Sequence, residues 1–160
     1  MKRIKMLATF AILATTATFS YGSPRCSGTL VAGDWGFTIN GVIILPAPVG
    51  AVPVAAVGRF RQDASGNMQG TEARSLGGAF DNETLKGTVA VHADCTAKYT
   101  IEVFDSEGNL NRTSVLDAVF VNGGNKARVI FESITLAGGT SLPSALTVEA
   151  NKLFPTDEEH

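Results

Sequence analysis

The chain has 160 residues, a formal charge of −2 and 44% hydrophobic residues, with only two cysteines and two histidines. That length allows one domain of ordinary size. The mildly acidic balance argues against a nucleic-acid-binding surface, and so few histidines and cysteines argue against a metal centre built from them.

In chain order, Lys2, Arg3 and Lys5 come first, followed by an uncharged run from Met6 to Phe19 that contains Leu7, Phe10, Ile12 and Leu13. Ser20 and Gly22 are small residues placed for cleavage before Ser23. This three-part pattern predicts a secretory signal peptide over residues 1–22. The run is too short and too rich in threonine for a transmembrane span. Pro24 and Arg25 before Cys26 do not suit lipid attachment. Removing the leader takes three basic residues with it and moves the formal charge to −5. A secreted or periplasmic protein is expected, with one domain over residues 23–160 that ends in a short acidic tail. In an exported chain, Cys26 and Cys95 are expected to form a disulfide.

The remainder alternates short runs rich in β-branched and aromatic residues with clusters of Gly, Asn, Asp and Pro. Eight strands are predicted: Trp35–Leu45, Val54–Gln62, Met68–Leu76, Thr84–His92, Lys98–Phe104, Leu110–Val121, Lys126–Leu136 and Ala145–Phe154. Asp63-Ala64-Ser65-Gly66-Asn67 and Asp105-Ser106-Glu107-Gly108-Asn109 are near copies of one turn. In each, an aspartate can accept from nearby backbone N–H groups and a glycine can take positive φ. Asn122-Gly123-Gly124-Asn125 is a third hairpin signal. Pro46, Pro48 and Pro53 fall in an apolar connection between the first two strands, read as a lid, a rim loop or an edge cover. Short turns between consecutive strands make a meander. Eight twisted strands in a meander favour closure into an up-and-down barrel, because closure removes both edges. A two-sheet β-sandwich is the alternative.

Trp35-Gly36-Phe37-Thr38-Ile39-Asn40-Gly41, Ala56-Val57-Gly58-Arg59-Phe60, Gly66-Asn67-Met68-Gln69-Gly70-Thr71 and Asp94-Cys95-Thr96 together resemble exported bacterial proteins, mostly uncharacterised, with a calycin-like or allene-oxide-cyclase-like β-barrel. These are strand and turn motifs over residues 26–154. The resemblance implies an architecture, and no catalytic residue transfers with it.

Strand alternation assigns the faces. Phe60, Gln62, Met68, Gly70, Glu72, Arg74 and Leu76 are expected to share the inner face around the first Asp-Gly-Asn turn. Around the second turn, Glu102 and Phe104 are expected to share it with Leu110, Arg112, Ser114, Leu116, Ala118 and Phe120. The lumen candidates for ligand binding are therefore Phe60, Glu72, Arg74, Glu102, Phe104, Arg112 and Phe120. Two acids and two bases on one face either pair with each other or line a polar pocket. Val115, Val119, Val121, Ile101 and Val103 fall on the other face. They suggest a covered surface such as a homo-oligomer interface, unless the faces are inverted.

His92 has no partner set for a triad, no Gly-x-Ser-x-Gly turn is present, and no phosphate loop or calcium loop fits. No cofactor and no metal are expected. Three functions follow in order. The first is a binding module for a small, partly apolar ligand or a protein partner. The second is a structural or surface oligomer. The third is a cyclase or isomerase using Glu72 or Glu102 as acid/base with Arg74 or Arg112 stabilising charge.

Overall fold

The structure, a computed structural model, describes residues 25–154. The leader expected over residues 1–22 and the acidic tail lie outside the described residues. Eight antiparallel strands close in sequence order into one barrel, with β8 pairing back onto β1. They are β1 (Gly33–Leu45), β2 (Gly50–Gln62), β3 (Asn67–Leu76), β4 (Ala79–Val91), β5 (Thr96–Phe104), β6 (Leu110–Val121), β7 (Lys126–Leu136) and β8 (Ser144–Lys152). A single helical turn, α1 (Gly28–Val31), precedes β1. The barrel expected from the meander is present, and the sandwich alternative is not.

Five strands are longer than the sequence indicates, β2 and β4 by the most. β2 begins at Gly50, so the proline-rich segment is a continuous hairpin with Leu45 opposite Gly50. Pro53 fits within a strand because β3 pairs with β2 only from Val54 onward, so its missing N–H breaks no ladder there. β4 begins at Ala79, directly after the Gly77-Gly78 turn, which brings Glu83 into the sheet.

One end of the lumen is filled by rings. Trp35 stacks parallel to Phe60 at 6.1 Å and meets Phe120 at 5.8 Å, while Phe60 also meets Phe37 and Tyr99. Fully buried Val31 of α1 caps this cluster, and its carbonyl accepts from Trp35 Nε1 at 3.0 Å. The Cys26–Cys95 disulfide ties the segment before α1 to the β4–β5 turn. The rings need room, which glycines on the neighbouring strands supply. A Cβ at Gly58 would lie 2.6 Å from Phe37 Cζ, and one at Gly70 would lie 2.7 Å from Phe60 Cβ.

Among the described residues, no helix is long and apolar enough to cross a membrane.

Candidate functional site

The other half of the lumen carries charge. β3 turns Glu72 and Arg74 inward, β4 turns Glu83 inward, and β6 contributes Asn111, Arg112 and Ser114 from across the barrel. Glu83 is the hub. It accepts from Arg74 Nε at 2.8 Å and Nη2 at 2.9 Å, from Arg112 Nη1 at 2.7 Å and Nη2 at 2.8 Å, and from Asn111 Nδ2 at 2.9 Å. Glu72 sits directly opposite Glu83 in the β3–β4 ladder and receives one bond, from Arg112 Nη2 at 2.7 Å.

This unequal sharing separates the two carboxyl groups electrostatically. Burial pushes the Glu72 carboxyl up to about 7, against the pull of Arg112, and the neighbouring Glu83 adds to the rise. Burial acts the same way on Glu83, but the hydrogen bonds from Arg112 and Arg74 outweigh it and hold that group down at about 2. Two carboxylates side by side resist joint ionisation, and the one holding both guanidiniums keeps the charge.

The charged cluster divides two small chambers. The inner one, about 60 Å³, lies between the cluster and the ring-filled end. Phe37, Leu85, Val103, Phe131 and Val148 make most of its wall apolar, while Glu72, Arg112 and Ser114 form its polar side. The outer chamber, about 80 Å³, shares Ile39, Arg112 and Phe131 with the inner one and reaches Arg74, Leu76 and Leu142. Ser114 is 2% exposed and its Oγ has no hydrogen-bond partner. A buried hydroxyl without a partner is costly, and this one belongs to a residue on the chamber wall.

Of the lumen candidates read from sequence, Phe60, Glu72, Arg74, Arg112 and Phe120 face inward. Glu102 and Phe104 do not, which corrects the sequence reading. Glu102 is exposed and lies opposite Lys86, and Lys86 Nζ stands over the Phe104 ring at 5.3 Å on the outer face. The cause is a β-bulge: Phe104 pairs with Leu110, but Val103 pairs with Arg112, leaving Asn111 as the extra residue. One extra residue inverts the facing of everything on one side of it. Leu110 therefore joins Phe104 outside, whereas Ile101 and Val103, expected outside, line the chamber. With Glu102 on the outer face, Glu72 is the one of the two acid/base candidates that faces the lumen. Glu83 was not anticipated at all, because the predicted fourth strand began one residue after it. The signal available was Gly77-Gly78, which closes a tight turn and leaves residues 79–83 free to be strand.

No family model and no curated protein matches the chain. Among solved structures, that of EF1p2_mFAP2b bound to DFHBI is similar, with a TM-score of 0.52 and 13% identity over 81% of this chain and 99% of that one. At that identity the likeness establishes the shared barrel fold.

Proposed function

We propose that this chain is an exported binding module whose lumen takes up a small, partly apolar ligand. The observation that carries this reading is the inner chamber, an apolar cavity whose polar side presents two charged residues and an unpartnered hydroxyl. Ligand sites combine those features: mostly apolar walls with a few convergent polar groups. That EF1p2_mFAP2b is bound to DFHBI supports a barrel of this kind as a ligand carrier. The disulfide suits an oxidising compartment and supports export.

The test is thermal unfolding and native mass spectrometry of the protein with a panel of short-chain acids, alcohols and small aromatics. Wild-type protein gains stability with at least one of them. Ala127→Leu, which places a larger side chain on the chamber wall, loses that gain. A panel that shifts neither mass nor Tm overturns the reading.

A second reading, self-association, is favoured by one observation. Val119 and Ile130 are 47% and 55% exposed on adjacent strands of the outer face. Size-exclusion chromatography across concentration decides it, and a constant monomer elution volume removes it.

A further inference from the structure

Charge balance inside the barrel narrows the ligand class. Arg74 and Arg112 bring two positive charges into the lumen, and Glu83 neutralises one while accepting five hydrogen bonds. Glu72 is the second counter-charge, yet it is held by Arg112 alone and sits beside Glu83. Ser114 lies two residues from Arg112 on the same inward face of β6, and its Oγ is unpartnered. The cluster thus contains one exchangeable anion position and one spare hydroxyl donor, both on the wall of an apolar chamber.

We propose that the ligand is a monocarboxylic acid with a short apolar chain, bound as its anion to Arg112 and Ser114 while Glu72 takes up a proton. This rests on the lumenal reading above. The incoming carboxylate replaces Glu72 as the acceptor of Arg112 Nη2. Ser114 donates the second bond, and Glu72, now neutral, donates its new proton to the ligand or to Glu83. The proton comes from solvent, and the cluster remains electrically balanced. A dianion brings one charge too many, and an ammonium meets two guanidiniums.

The groups facing Glu72 support the exchange. β3 itself supplies Arg74. β4 supplies Glu83 and, farther along the strand, Asp81 opposite Arg74, and β6 supplies Arg112. Tyr99 on β5 also lines the chamber, but its hydroxyl donates to Gln62 at 3.0 Å and burial pushes its ionisation far above the neutral range. The residues that the remaining strands place on the chamber wall are apolar. Glu72 is therefore the group in the chamber poised to change charge near neutrality, since burial raises its carboxyl to about 7.

The experiment is titration calorimetry of the full chain with hexanoate and with 1-hexanol, at acid and alkaline pH, in buffers of different ionisation heat. Hexanoate is expected to bind about thirtyfold more weakly at about pH 8.5 than at about pH 6, with uptake approaching one proton at the higher pH. Glu72→Gln flattens that dependence, and Ser114→Ala weakens hexanoate about fivefold at both pH values. Hexanol binds more weakly, with no proton uptake. Hexanoate binding without proton uptake, or hexanol binding as tightly as hexanoate, overturns the assignment and leaves the lumenal reading standing. Binding of neither compound, nor of any shorter or longer acid or alcohol, overturns both. The proton count in wild-type protein needs no variant to fold.

Discussion

The two halves of the lumen are filled by opposite means. Around Trp35, four aromatic rings and Val31 pack into a plug that needs little polar chemistry beyond the Trp35–Val31 and Tyr99–Gln62 hydrogen bonds. Around Glu83, two guanidiniums, two carboxyl groups and an amide take the same place. Packed rings are stable over a wide pH range because nothing in them titrates near neutrality. A buried ion cluster depends on every member being paired, and a missing partner leaves a desolvated charge. The ring end is thus held by packing that does not titrate, and the charged end by pairing that depends on the protonation of its members.

The largest expected effect comes from breaking the plug. Trp35→Ala removes the buried ring that contacts Phe60 and Phe120 and gives up the bond to Val31. It should cost about 4–5 kcal/mol by denaturant unfolding. Glu83→Gln tests the other half. It leaves Arg74 and Arg112 facing each other with one weakly held counter-charge, at an expected cost of about 3–4 kcal/mol. A loss below about 1 kcal/mol would mean that water enters and solvates the guanidiniums, and the cluster would then be an open polar pocket. The disulfide comes next. Cys26→Ser with Cys95→Ser frees a crosslink spanning 69 residues and is expected to cost about 3 kcal/mol. Because the bridge anchors the segment leading into α1, the double variant should also increase quenching of Trp35 fluorescence by added iodide. Unchanged quenching would show that ring packing alone holds the plug.

The sequence was most legible where local chemistry decides structure. β6 and β7 follow the predicted bounds to the residue, with the Asn122–Asn125 turn between them. The aspartates of both near-copy turns behave alike. Asp63 Oδ1 accepts from Asn67 N at 2.9 Å, and Asp105 Oδ1 accepts from Asn109 N at 2.8 Å. The difference lies beyond the turns. After the first, Gln62 and Met68 pair in simple register. After the second, Asn111 is inserted as a bulge whose side chain donates to Glu83 and whose carbonyl accepts from Ala137 N. Both partners lie far away in sequence, so no local pattern around residues 105–111 separates the two hairpins. Faces read by alternation therefore hold for Phe60, Glu72 and Arg74, and fail for Glu102 and Phe104. Arg112 and Phe120, on the far side of the bulge, keep the inward facing expected of them. The unequal roles of two neighbouring glutamates had no local signal either, because they depend on arginines from β3 and β6 converging on Glu83.

The smallest effect is the one that separates those glutamates. The folded chain holds Glu83 at about 2, below its ordinary 4.5. Its contribution to stability is therefore full above 4.5 and is lost as pH falls toward 2. Glu72 stands at about 7, above its ordinary 4.5, so the opposite holds. The folded state binds its proton more tightly than the unfolded chain does, and that advantage is full below 4.5 and fades as pH rises through 7. The pair together places maximum stability near pH 4.5, with Tm falling on both sides. Glu72→Gln keeps an acceptor for Arg112 and cannot ionise, so it should abolish the neutral-side decline and leave the acid-side decline intact. At about pH 8 the variant should melt about 8 °C above wild type, and at about pH 4 the two should coincide. Ligand acts on the curve in the opposite way: a bound carboxylate keeps Glu72 protonated, so the folded state holds a proton that the unfolded chain has lost and the neutral-side decline continues past about pH 7. Hexanoate should then raise the wild-type Tm more at about pH 6 than at about pH 8.5 and steepen the neutral-side decline, and an unaltered curve would mean that the charged half of the lumen is as fixed as the aromatic half.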